Sequence, residues 1–327
     1  MERLLFLLCL VHSVSCGSVT ISNKVARRDV NGDILNAHNG NIVYVNGTYF
    51  LYGENYGRGS YIVPDNAILP KLAVYTSTDM KTWEPKGFLH NNSKGVKNAP
   101  PIWSDTAHWQ WAPNGTWWSP TAMYDKSSGS VIIWFSASTG QCCTATFGIA
   151  TSKDGIHFEL VSLSETPSTN VSVDGSAIFV DDDNVGYVAY VAMGIPGKDG
   201  HVVAIDKLND DFLGTAKIQV GTFFPDSFVE GVMLFKRRGL YYVMYGSCCC
   251  ACREGSGAVV HTAKHIEGPW VRQPGGDMNC RAGPDVKVCA GMDAGASRKR
   301  PMGELIINAQ GIGMSVLPSA TDDKEPV

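Results

Sequence analysis

"GNIVYVNGTYFLYGEN", residues 40–55, is the stretch whose repetition decides the fold. Ile42 and Tyr44 alternate with Val43 and Val45, as on a half-buried strand. Asn46-Gly47 then supplies a two-residue hairpin turn, and an aromatic-rich strand returns. The same plan recurs in "SPTAMYDKSSGSVIIWFSAS" (119–138), "DGSAIFVDDDNVGYVAYVAM" (174–193) and "EGVMLFKRRGLYYVMYGSCC" (230–249). Each is followed by further strands: "LAVYTSTDMKTWEP" (72–85), "FGIATSKDGIHFELV" (147–161), "HVVAIDKL" (201–208) and "GAVVHTAKHIEGPWV" (257–271). "GELIINAQGIGMSVL" (303–317) reads as a shorter fifth copy. Short antiparallel sheets repeated around an axis make a β-propeller, so the expected fold is all-β and five-bladed. A β-sandwich also has short strands and many turns. It does not require "STDMKTW", "SKDGIHF" and "KHIEGPW" to recur at one place in successive copies. The Trp-Asp and Gly-His signatures of the common regulatory propeller are absent.

Composition agrees. The chain has 327 residues, 35 of them Gly, with 10% aromatic and 18% charged residues. That mix suits a turn-rich β protein. A net charge of -4 and no basic stripe argue against nucleic acid. "MERLLFLLCLVHSVSCGS" has a cation at Arg3, a short apolar run and then small residues. It reads as a secretory signal peptide over 1–16, leaving 17–327 as one exported propeller domain. The apolar run is too short to span a bilayer, so no membrane partner is expected. Sequons at Asn46, Asn91, Asn114 and Asn170 are candidate glycosylation sites. Beyond residue 16 stand eight cysteines: Cys142, Cys143, Cys248, Cys249, Cys250, Cys252, Cys280 and Cys289. An even number in an oxidising compartment reads as disulfides. "CCCAC" (248–252) lacks the paired spacing of a zinc site, so no metal is assigned to it.

With the copies laid out, "SKDGIHF", "EGPW", "VDDDNVGYVAYV" and "FVEGVMLFKRRGLYYVMYGS" resemble glycoside hydrolase family 43. "AHNGNIVYVNGTYFLYGEN" is most similar to its exo-β-1,3-galactanase branch. The resemblance covers essentially the whole chain after the leader. It implies a five-bladed propeller that cleaves arabinans, xylans or galactans with inversion, in a funnel at one end of the axis. It also implies a polysaccharide or oligosaccharide substrate, and a monomer is expected. No cofactor is required; a structural calcium on the axis is left open.

The resemblance places the proton donor at Glu230, in "FVEGVMLF", and the carboxylate that tunes it at Asp174, in "SVDGSAIF". Both open inner strands at matching places, which a pair of ordinary strand-end caps would do only by coincidence. Asp181–Asp183 sit in a hairpin turn, where Asp is favoured for local hydrogen bonding, and read as structural. Most relatives keep their base as the Asp of His-Asp-Pro; here the turn is His38-Asn39-Gly40. An amide is a poor base. The galactanase-like branch orients water through a Gln of the last blade, which matches Gln310. Asp33 and Glu54 are the nearest carboxylates in sequence, with Glu54 read as a sugar-hydroxyl ligand beside Asn39 and His38. Trp118 stands where that branch has a further carboxylate. Trp117 and Trp118, with Trp103, Trp109 and Trp111, crowd one loop and are candidates for a sugar-stacking wall. The missing base keeps a second reading open, a catalytically inactive glycan-binding propeller. Fructan chemistry on a related propeller would need an Asp nucleophile where Asn39 stands.

Overall fold

The first four repeated segments fold as their alternation predicts. In the computed structural model, residues 21, 25–55, 71–88, 116–138, 145–198, 200–247, 259–273, 314–315 and 317 are described. The first copy gives β1 (Ile42–Val45), β2 (Thr48–Asn55), β3 (Lys71–Ser77) and β4 (Glu84–Phe88). The second gives β5 (Thr116–Asp125), β6 (Ser130–Ser138), β7 (Ala145–Ser152) and β8 (Glu159–Glu165). The third gives β9 (Ser172–Val180), β10 (Gly186–Met193), β11 (His201–Leu208) and β12 (Thr215–Gln219). The fourth gives β13 (Val229–Arg237), β14 (Leu240–Ser247), β15 (Val259–Ala263) and β16 (Val271–Arg272). Every copy is a four-stranded antiparallel meander paired in chain order, which is a propeller blade. Among the described residues there is no helix. The fifth copy lies outside the described residues except for Met314, Ser315 and Leu317. There Ser315 Oγ accepts from the Ile42 N–H at 2.7 Å, and Asn41 Nδ2 donates to the Met314 carbonyl at 3.3 Å. The last copy therefore meets the first, as a closed ring requires.

The core distinguishes a propeller from a sandwich. A sandwich has one core between two sheets; here, among the described residues, a separate core fills each of the three gaps between the first four blades. Tyr52, Leu72 and Val74 pack with Trp117, Ile133 and Phe158. Trp134 and Phe147 pack with Tyr190 and Phe212. Val203 and Ile205 pack with Val232, Leu234 and Val243. Consequently β6 and β10 are buried along their whole length. Polar links cross the same gaps: Tyr52 Oη donates to the Gly155 carbonyl at 2.8 Å, and Trp134 Nε1 to the Phe212 carbonyl at 3.0 Å.

Two of the three recurrent turns, those of the first and second blades, share one physical design. Asp79 accepts from the Lys81 and Thr82 N–H groups, and Asp154 from those of Ile156 and His157. Ser77 and Ser152 hydroxyls donate to these same carboxylates, each two residues earlier. This is the Asx-turn chemistry that makes Asp a turn residue. The aromatic that ends each motif, Trp83 or Phe158, is then plugged into the core. The third blade uses a looser copy, "NDDFLG" (209–214), in which Phe212 is the plug and Asp211 accepts from the Leu213 N–H. The cysteines after residue 16, Gln310, Trp103, Trp109, Trp111, Asn91 and Asn114 lie outside the described residues. Asn46 and Asn170 are exposed at turn positions with φ of 48° and 53°.

Candidate active site

The inner strands enter the axis through one repeated irregularity. Regular pairing stops at the top of β5, β9 and β13, where each strand carries one extra residue against its partner. The extra residue needs a positive φ: 50° at Ser119, 60° at Gly175 and 69° at Gly231. Such β-bulges re-aim the preceding side chain. The first blade repeats the device ahead of β1, with Asn39 at φ 53° and His38 bridged to Glu54. The four re-aimed residues are therefore His38, Trp118, Asp174 and Glu230. Asn39 is the bulge residue itself. Gly40 follows it because a Cβ there would sit 1.8 Å from the Tyr52 carbonyl oxygen. The bulges lie side by side: a Cβ on Gly175 would be 3.8 Å from Ser119 Oγ and 4.0 Å from Gly231 N.

This brings Asp174 and Glu230 together and adds a residue the sequence did not suggest. Donor atoms of Asp174, Glu230 and His201 all lie within 4.8 Å of one another. His201 opens β11, the third strand of its blade, and nothing in its local pattern marks it as axial. The only signal that could have flagged it is its place after Gly200, a turn glycine at φ 70°. Trp118 Nε1 donates to Asp174 Oδ1 at 2.6 Å. Burial and the Glu230 charge push the Asp174 carboxyl up to about 6, against the pull of the Trp118 hydrogen bond. Burial also holds the His201 imidazole below its usual pKa, outweighing the attraction of Glu230. Two carboxylates and an imidazole are not a calcium cage, which wants six to eight oxygens, so no chemistry here is routed through that ion.

The remaining candidates separate. Glu54 is 1% exposed, and its Oε1 accepts from the Ser119 N–H and, at 3.3 Å, from Asn39 Nδ2. It thus ties the first blade's turn to the second blade's bulge. His38 is exchanged with Glu54 through two backbone hydrogen bonds, and burial lowers its imidazole pKa. Trp117 is a core residue, stacked on Phe135 at 5.0 Å between ring centres, whereas its neighbour Trp118 reaches the carboxyl pair. Alternation along β5 sends the two indoles to opposite faces. Asp33 lies in a tight turn near the N-terminal segment, where its carbonyl accepts from the Asp29 N–H.

Known proteins place this geometry in a family. The chain aligns with three solved structures of propeller glycosidases. One is a β-1,3-galactosidase with galactodeoxynojirimycin: 18% identity, 78% of this chain and 80% of that one, TM-score 0.59. A second is the exo-β-1,3-galactanase of Phanerochaete chrysosporium with β-1,3-galactotriose: 18% identity, 76% of this chain and 52% of that one, TM-score 0.59. A third is the exo-β-1,3-galactanase of Clostridium thermocellum: 20% identity, 77% of this chain and 50% of that one, TM-score 0.58. The chain thus spans about half the length of those two galactanases. A search of curated proteins gave no match. The model of glycosyl hydrolases family 43 matches residues 35–289. The chain therefore belongs to glycosyl hydrolases family 43, whose members hydrolyse O-glycosyl bonds.

Proposed function

We propose that the protein is an exported, inverting glycoside hydrolase that acts on β-1,3-linked galactan or a related polysaccharide, with Glu230 as proton donor. The observation that carries this is the meeting of Asp174, Glu230 and Trp118 on adjacent bulges. Glu230 protonates the leaving oxygen as the C–O bond breaks, and water adds its oxygen to the anomeric carbon from the opposite face. The water's surplus proton replaces the one Glu230 gave up, so protons balance over the cycle. Asp174 keeps a negative charge beside Glu230, which holds the proton on the donor until the leaving oxygen claims it.

Asp174 is not the base. An inverting pair needs about 6.5–9.5 Å between carboxyls to admit the water, and these two come within 4.8 Å. Gln310 is the proposed water-orienting group; four residues on, Met314 reaches the start of the first blade. The galactan preference draws on the named substrates of the structural neighbours. One observation favours the silent glycan-binding alternative: the Asn39 amide is occupied by Glu54, and no carboxylate stands in that turn.

Purified protein should release galactose from β-1,3-galactan faster than sugar from arabinan or xylan, with the first-formed anomer inverted by NMR. Glu230→Gln should lower kcat at least 10³-fold with the melting temperature preserved. Binding of all three glycans without turnover would establish the silent propeller instead. Undiminished activity in Glu230→Gln would remove the donor assignment.

A further inference from the structure

Among the described residues, His201 is the polar group at the site that the mechanism above leaves unused. Its Nδ1 is buried and has no hydrogen-bond partner. Buried polar atoms are nearly always satisfied, so an orphan at a functional site calls for a reason. Its placement is also built rather than incidental. Gly200 and Phe228, at φ 70° and 54°, pack so closely that a Cβ on Gly200 would lie 2.8 Å from the Phe228 ring. Phe228 leads directly into Val229 and Glu230. The contact therefore locks the start of β11 to the start of β13, which sets the imidazole against the carboxyl pair.

We propose that His201 is a positioning residue for the Glu230 proton donor, its imidazole N–H held against the carboxyl where negative charge appears as the proton leaves. The inference rests on the reading of Glu230 as donor. A neutral donor suits this place. A charged imidazolium would stabilise ionised Glu230 before substrate arrives and spoil it as an acid. A neutral N–H interacts weakly with the carboxyl and more strongly with the carboxylate that forms in the transition state. Burial disfavours the charged imidazolium. Glu230 is the carboxyl whose charge acts on the His201 imidazole, so Glu230 is the group that the imidazole serves.

A residue that acts through the acid matters only where the acid matters. The test compares two substrates in wild type, His201→Gln, His201→Asn and Glu230→Gln. In β-1,3-galactobiose the leaving alkoxide must be protonated; in β-galactosyl fluoride the leaving fluoride needs little proton help. Both His201 variants should lose roughly 10- to 100-fold in kcat/KM on galactobiose and less than about threefold on the fluoride. Glu230→Gln should show the same split, larger. Equal losses on both substrates would make His201 merely structural, and no loss on either would also overturn the proposal. The Asn variant stands in if the Gln variant melts early. If wild type cleaves neither substrate, the hydrolase reading falls and takes this inference with it. If Glu230→Gln shows no split, the donor assignment is at fault rather than the hydrolase reading.

Discussion

At the residue scale the site turns on the ionisation of Asp174. Asp174 is raised from 3.8 to about 6 by burial and by Glu230, and the Trp118 N–H restrains that rise. Removing the indole donor in Trp118→Phe destabilises ionised Asp174. The acid limb of the kcat/KM profile, where Asp174 takes up a proton and loses the charge that tunes Glu230, should then move to higher pH; an unmoved limb would mean the 2.6 Å hydrogen bond does not tune Asp174. The same shift costs stability. A carboxyl raised on folding contributes most below its unfolded pKa, and that contribution is lost as pH rises through the folded value. Above pH 6 the loss is at most roughly 3 kcal/mol. Asp174→Asn keeps an acceptor for Trp118 and removes the charge. It should melt higher than wild type at pH 7.5, with the advantage gone by pH 4, while activity falls. That is a trade of stability for function.

At the element scale the bulge decides where these groups point. Gly175 and Gly231 sit at φ 60° and 69°, whereas the equivalent residue in the second blade is Ser119 at φ 50°. A side chain in this region is strained by about 1–2 kcal/mol. Ser119→Gly should therefore leave stability unchanged or raise it slightly in denaturant titration. Gly175→Ala meets only ordinary van der Waals contact, from Ser119 Oγ at 3.8 Å and Gly231 N at 4.0 Å, but the wrong backbone region. It should cost about 1–2 kcal/mol and lower kcat more than Ser119→Gly does, because it disturbs the strand top that carries Asp174. Gly40→Ala is a harder case, since its Cβ would overlap the Tyr52 carbonyl. Loss of soluble folded protein is the expected result, read by expression and circular dichroism.

At the scale of the whole molecule, stability resides in the gaps between blades and in the turns that plug them. Hydrogen bonds from the Thr82 and Lys81 N–H groups hold Asp79 down to about 2. Asp154 is also held low: burial opposes this, and hydrogen bonds from His157 and Ile156 prevail. Carboxyls depressed on folding stabilise above their unfolded pKa and lose that contribution as pH falls through the folded one. The melting temperature should therefore drop between pH 4 and pH 2, and Asp79→Asn should flatten part of that drop. Both carboxylates are substantially solvent-accessible, so the effect per turn is modest.

The sequence by itself determined the repeated strand-turn-strand plan, the recurring turns and the family, because alternation and turn residues act within a few residues of chain. It also marked Asp174 and Glu230, which recur at equivalent strand starts. The third blade's turn at 209–214 was hidden because it reaches the same plug with different letters. Only the tertiary structure sorted Trp117 into the core and Trp118 onto Asp174, since a one-residue shift in facing reverses the surroundings of a strand residue. It also buried Glu54 beneath Ser119 and carried His201 from an unremarkable strand end to the carboxyl pair. Those placements depend on bulges and blade contacts between residues tens of positions apart. No local pattern in the chain records such contacts.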